Sequence, residues 1–292
     1  MADKLTDDQS LDAGKLALQL IEHIRSIDSS VVVAFSGGVD SGVVAAGASR
    51  ALGPRAVAWT SLGAAVPQSD REASVLVAQE IGIQHVQIVT DELSSAGYAA
   101  NGPDRCFHCK STLYSSIAAW AKERSIGTIL SGTNADDLGD YRPGLQAATQ
   151  WGVRAPLAEL GFGKSVVRAI ALHWGIPIAN KPASPCLASR IAYGQVVTLG
   201  RLNQIEAMER WLFDQGFTDV RARLHADQLL RLEIDSQEIL RAMEPQMRQR
   251  ISQKATSLGF RYVTMDMQGR SSGSMNRSLA THSLGKNLVS GD

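Results

Sequence analysis

Val31-Val32-Val33-Ala34-Phe35-Ser36-Gly37-Gly38-Val39-Asp40-Ser41 decides the fold. The valine run is too short for a buried helix and rich in β-branched side chains, so it predicts a buried parallel strand. Gly37 and Gly38 then allow a tight turn with bare N–H groups, and a small-residue helix over 41–50 aims its positive end at the same spot. Strand, glycine loop and helix together make an anion site. Ser36 and Ser41 add hydroxyls, while Asp40 either holds a Mg2+ that bridges phosphates or fixes the loop from inside. No Gly-Lys-Ser/Thr follows, which excludes a Walker A loop, and the G-x-G-x-x-G of a dinucleotide fold is missing.

The chain has 292 residues, enough for one large or two modest domains, with 29 basic and 29 acidic side chains in balance. That balance gives no bulk attraction to nucleic acid or to a membrane surface. The polar N-terminus lacks an apolar signal core and no later run approaches a membrane span, so the expectation is a cytoplasmic protein. Three cysteines, two of them in a C-x-x-C, make a poor disulfide framework and point to metal or redox chemistry.

Working outward, apolar residues at helical spacing predict a helix over 11–27 ahead of the first strand. Strands follow at 56–61, 86–90 and 128–130, with helices over 67–81 and 111–122. This alternation predicts a parallel sheet covered on both faces, with ligands beyond the carboxyl ends of its strands. Ser36, Gly37, Gly38, Asp40, Ser41, Thr60, Ser61, Gly132, Thr133 and Asp136 are thereby expected on one rim. The C-x-x-C, Cys106-Phe107-His108-Cys109, falls in a loop entering the 111–122 helix. A short strand is expected at 153–157 and a helix over 165–174. The polar stretch from Ser131 through Asp136-Asp137 to Asp140-Tyr141-Arg142 lies where a nucleotide or its Mg2+ would be met.

Two prolines hold Cys186 in an extended turn within Lys181-Pro182-Ala183-Ser184-Pro185-Cys186-Leu187-Ala188-Ser189-Arg190, unusual treatment for a core-filling cysteine. Arg190, four residues on, suits an anion beside the sulfur. The pattern changes near 190–198. Beyond it a helix over 199–213, an antiparallel pair at 219–224 and 229–235, helix through most of 236–258 and a strand at 261–265 describe a small α+β domain. The expected division is 1–190, 191–280 and a disordered tail over 281–292. Arg221 and Arg223 share one strand face, and with Arg270 they suit a phosphate.

Ser-Gly-Gly-Val-Asp-Ser resembles the SGGxDS signature of the PP-loop ATP pyrophosphatases, whose fold is an adenine nucleotide alpha hydrolase-like α/β domain. The likeness narrows at Pro185-Cys186-Leu187-Ala188-Ser189-Arg190-Ile191, Tyr193-Gly194 and Gly273-Ser274-Met275-Asn276, which resemble the LarE family over nearly the whole chain. That resemblance implies adenylylation of the carboxylates of a pyridinium biscarboxylic acid mononucleotide and their replacement by thiocarboxylates, for the nickel-pincer nucleotide of lactate racemase. It implies ATP and Mg2+, Cys186 as the sulfur-bearing residue, Arg190 near the reacting carboxyl, Glu206 or Glu209 orienting the substrate, and a homo-oligomer, the suggested form being a hexamer. In single-cysteine members the residue matching Cys186 gives up its own sulfur. Here Cys106, Cys109 and Cys186 together resemble the three-thiolate set of a 4Fe-4S cluster that takes sulfide from a donor and delivers it repeatedly.

Rivals remain at this stage. Zinc on the cysteines with His108 or His85 is one, and a Cys106–Cys109 disulfide that regenerates a persulfide is another. The chain also compares with PP-loop tRNA thiolases, with amidating ATP pyrophosphatases and with a nucleotide-binding redox sensor. Neutral net charge and the lack of a basic, aromatic-interleaved stretch speak against tRNA.

Overall fold

The computed structural model describes residues 7–139, 143–179, 185–271 and 274–276. Asp140, Tyr141 and Arg142, the 181–184 part of the cysteine segment, Gly273 and the expected disordered tail lie outside the described residues. The chain forms two compact units, one of residues 1–92 and 106–184, the other of residues 93–105 and 185–292.

In the first unit α1 (Asp7–Ile27) leads into β1 (Val31–Ala34), α2 (Val39–Leu52), β2 (Ala56–Ser61), α3 (Gln68–Ile81) and β3 (Gln84–Ile88). Residues 93–105, which carry α4 (Ala96–Ala99), belong to the second unit. Then come α5 (Arg105–Lys122), β4 (Thr128–Leu130), α6 (Pro143–Gln150), α7 (Pro156–Glu159) and α8 (Lys164–His173). The four strands are parallel in the order β3-β2-β1-β4.

Alternation along β1 explains why both faces of the sheet are covered. Val31 and Val33 enter the core shared with α1, α2 and α8, while Val32 enters the core shared with α5 and α6. Both cores exclude water, and each fully buried valine contributes about 1.5–3 kcal/mol.

In the second unit α9 (Leu199–Asp214) precedes β5 (Val220–Leu224) and β6 (Leu229–Ile234), which pair antiparallel. After α10 (Ile239–Met243) and α11 (Pro245–Ser257), β7 (Tyr262–Met265) pairs parallel with β6. Residues 93–105 are tied into this unit by Asn101, a fully buried residue at φ 57°. Its amide donates to the carbonyls of Ile191 (3.3 Å), Ala192 (2.9 Å) and Gln195 (3.0 Å). Arg105 donates to Asn101 Oδ1 and to the Ala188 carbonyl.

Two sequence expectations are corrected. Residues 153–157 form no strand: Arg154 alone bridges to Leu130, and Pro156, suited to a first helical position, starts α7. Cys106 and Cys109 lie not in a loop but in the opening turns of α5, whose start is signalled by Pro103 and Asp104 just ahead of it.

Glu159 pins the edge of the first unit. It accepts from Arg154 through both oxygens (2.8 Å each) and from the Ala155 amide (3.0 Å), and it meets His23 Nε2 at 2.7 Å. The Arg154 hydrogen bonds lower its carboxyl from 4.5 to about 2, against burial, which acts the other way. A depressed carboxyl lends stability above its unfolded value and loses it as pH falls through the folded one. Acid unfolding followed by circular dichroism should therefore be steeper for the wild type than for Glu159→Gln between pH 4.5 and about 2. Coincident acid limbs would remove Glu159 from this role.

Candidate functional site

The order β3-β2-β1-β4 makes the chain leave β1 toward β2, while β4 lies on β1's other side. A crevice opens at such a switch point, between the loops that follow the two strands. Those loops are residues 36–41 and 131–137. Their backbones run so close that a Cβ on Gly132 would sit 2.5 Å from Ser41 N. Gly37 is at φ +72°, where a side chain is strained, and a Cβ there would meet the Ser74 backbone at 2.9 Å.

Ser41 closes the first loop on itself. Its hydroxyl donates to the Gly38 carbonyl (3.2 Å) and accepts from the Ser36 amide (3.2 Å), with Ser36 Oγ 3.2 Å away. Asp40 reaches across to the second loop, where its Oδ1 accepts from Asn134 Nδ2 at 3.2 Å. Its Oδ2 pairs with the ammonium of Lys164. Asn134 is buried and also organises its own loop, its Oδ1 accepting from the Asp136 backbone N–H (3.0 Å) and its own backbone N–H donating to Asp137 Oδ2 (3.1 Å). Asp136 accepts from the Lys164 backbone N–H at 2.7 Å and so caps α8. Thr133 accepts from Ser131 Oγ at 3.1 Å. Asn134 lies in the polar stretch that the sequence placed on the rim, whereas Lys164 is the site residue that sequence reasoning missed.

Thr60 and Ser61, expected on the rim, have committed hydroxyls. Thr60 is buried and donates to Phe35 O (2.7 Å), so the His85 Nε2 found 2.8 Å away is the donor to it. Burial lowers the His85 pKa, which keeps the ring neutral. Ser61 lies 2.5 Å from Thr90 Oγ1 and 3.3 Å from the buried Glu92 carboxylate. Both residues brace the strand ends beneath the crevice.

In the second unit Cys186 is half-buried and stands just before a 3-10 turn, Leu187–Arg190. Arg190, expected beside a reacting carboxyl, is instead buried and fully engaged. It forks onto Glu209 (3.0 and 3.2 Å) and donates to the carbonyls of Pro185 and Cys186, the latter at 3.0 Å. Glu209 also accepts from the Ala222 amide at 3.0 Å. Arg190 thus positions the cysteine turn against β5.

Arg221 and Arg223 share the polar face of β5. Arg223 donates to Glu233 (2.8 Å), Ser274 Oγ (3.1 Å) and Ser189 O (3.2 Å). Burial raises the Glu233 carboxyl, but hydrogen bonds from Arg223 and Ser274 outweigh it and hold it below its ordinary value. Arg221 and Arg270 both approach Asp219, at 3.4 and 3.3 Å. The Arg270 contact lacks hydrogen-bond geometry, and Arg223 Nε is likewise buried without a hydrogen-bond partner among the described residues. Burial first, then the Arg190 charge, pushes Arg221 below the usual arginine range, with Glu209 acting the other way.

Cys106 is exposed and Cys109 half-buried, both in the first unit, whereas Cys186 belongs to the second. Among the described residues no three His, Cys, Asp or Glu side chains stand together as a metal-binding group.

A parallel sheet carrying Ser-Gly-Gly-Val-Asp-Ser at its switch point defines an ATP-using enzyme of the PP-loop class, and the NAD synthase family model matches residues 15–106. Over 255 residues the chain is 34% identical to the pyridinium-3,5-bisthiocarboxylic acid mononucleotide synthase of Lactiplantibacillus plantarum, covering 87% of this chain and 91% of that one. The chain belongs to the LarE family of ATP-dependent sulfur transferases. It is also 39% identical over 262 residues to the uncharacterized protein slr1717 of Synechocystis, covering 89% and 97%. To the NH(3)-dependent NAD(+) synthetase of Hyperthermus butylicus it is 31% identical over 228 residues, 71% of this chain and 79% of that one.

Replacing Arg190 by Met would leave Glu209 buried without its cation and two turn carbonyls without their donor. Removing one partner of a buried pair costs about 3–5 kcal/mol. Urea unfolding of Arg190→Met should show a loss of that order. A loss under about 1 kcal/mol, the range of a surface arginine, would contradict the positioning role.

Proposed function

We propose that this chain adenylylates the carboxylates of pyridinium-3,5-biscarboxylic acid mononucleotide and converts them to thiocarboxylates in making the nickel-pincer nucleotide. The observation that carries this is the closed loop at residues 36–41, with Asp40 held by a side chain from the neighbouring loop and by Lys164. A carboxylate resists attack because its leaving group is oxide. When its oxygen attacks the α-phosphorus of ATP, the bond to the β-phosphate breaks and pyrophosphate leaves. Sulfide then attacks the acyl carbon, and AMP departs with the electron pair. The loop amides and the start of α2 stabilise charge on the phosphates. Asp40 suits Mg2+, being a hard oxygen donor beside that loop and about a quarter exposed (27%).

Arg221, Arg223 and Arg270 would hold the substrate's phosphate. Two of them carry a buried Nε without a hydrogen-bond partner among the described residues, and the third is a cation held at a cost by burial and by Arg190, so an anion would stabilise all three. Cys106, Cys109 and Cys186 would hold a 4Fe-4S cluster, which supplies a coordinated sulfide when bound. The fit rests on the donor set: two thiols three apart on α5, hence on one helix face, one of them exposed. No helix among the described residues is long and apolar enough to cross a membrane. The proposed setting is the cytoplasm, and the proposed assembly a homo-oligomer.

Purified protein given ATP, sulfide and the carboxylated pyridinium mononucleotide should release AMP and pyrophosphate in equal amounts and form thiocarboxylate. Production of ADP would end the assignment. Arg221→Ala should raise KM for the mononucleotide at least tenfold, the loss of one charge-assisted hydrogen bond, and leave KM for ATP within about twofold. Equal effects on both substrates would return the arginines to a structural role. Anaerobic reconstitution should give about four iron per chain, falling in Cys106→Ala. One product per chain, with Cys186 lighter by the mass of hydrogen sulfide, would replace the cluster by a sacrificial cysteine.

A further inference from the structure

Lys164 stands out among groups that the chemistry above leaves unused. It opens α8, and its backbone N–H is fixed by Asp136 at 2.7 Å. Its ammonium reaches the carboxylate of Asp40, 124 residues away in sequence, inside the phosphate loop. The backbone is therefore anchored while the side chain remains about a third exposed (34%), with four carbon–carbon bonds free to swing. Around it the crevice carries the carboxylates of Asp40, Asp136 and Asp137, a poor welcome for a polyphosphate unless a cation balances them.

Adenylylation concentrates this need at one place. When the bond between the α-phosphorus and its bridging oxygen breaks, the electron pair stays on that oxygen, and the departing pyrophosphate gains a negative charge. A cation at the β- and γ-phosphates lowers that barrier, whereas one at the α-phosphate alone would hold AMP equally well. We propose that Lys164 is a pyrophosphate-binding residue: its ammonium, paired with Asp40, also engages the β- and γ-phosphates of ATP and the pyrophosphate released. This rests on the site's being the ATP site.

The split between nucleotides tests it. Isothermal titration of the full chain with ATP, AMP and inorganic pyrophosphate, in the presence of Mg2+, is compared for wild type, Lys164→Gln and Lys164→Arg. Loss of one charge-assisted contact should weaken ATP and pyrophosphate about tenfold to a hundredfold in Lys164→Gln. AMP should stay within about twofold, and Lys164→Arg should recover much of the ATP affinity. A thermal melt of each variant separates binding from folding. If AMP weakens as much as ATP, or the melt alone moves, Lys164 is a structural counter-ion of Asp40 and the proposal fails. If Lys164→Gln binds all three ligands like the wild type, it fails as well. Wild-type protein that binds neither ATP nor AMP would instead overturn the assignment of the site itself.

Discussion

Gly132 passing against Ser41 is the constraint on which the rest of the first unit depends. A backbone contact with no room for a methyl group fixes the distance between the loops after β1 and β4, and with it the reach from Asn134 to Asp40. The register of β1 with β4 sets this approach from below, pairing Val33, the last but one residue of β1, with Leu130, the last of β4. Hydrogen bonds among Ser36, Gly38 and Ser41 then need satisfy only their own short loop. The crevice is thus preformed by backbone and small side chains, which lose little entropy on ordering.

The second unit solves a different problem, that of keeping many charges out of water. Arg190 and Glu209, Arg223 and Glu233, and Arg231 and Asp266 lie close together on and beside the three-stranded sheet. Buried ions are tolerated when each finds several hydrogen bonds, and Glu209 and Glu233 each find them from more than one donor. Donor capacity is left over at Arg223 and Arg270, whose buried Nε atoms have no hydrogen-bond partner among the described residues.

Most of the first unit could be read in the chain because its signals are local. The valine run, the glycine pair and the alternation of apolar stretches place β1, α2, β2 and β4 within a residue or two of where they lie. Lys164 could not be read: a lysine at a helix start is ordinary, and its partner is remote in sequence. The same holds for Arg190, since nothing in its neighbours tells a buried fork onto Glu209 from a cation aimed at substrate. Residues 153–157 misled because an apolar run after a glycine suits a strand, until Pro156 removes a donor and sets a helical φ. For the C-x-x-C, glycine and proline at 102–103 suggested a long loop, and the helix simply begins sooner after them.

The crossing of the chain at residues 92–93, 105–106 and 184–185 has a consequence for biosynthesis. Asn101 and Arg105 emerge from the ribosome well before Ala188, Ile191, Ala192 and Gln195, the carbonyls that satisfy them. At roughly 5–20 residues per second, the wait is on the order of 4–20 s. Once β4 has followed, for most of that interval, the strands of the first unit's sheet are all made and free to pair, while the polar side chains of this excursion stay hydrated until their carbonyls arrive.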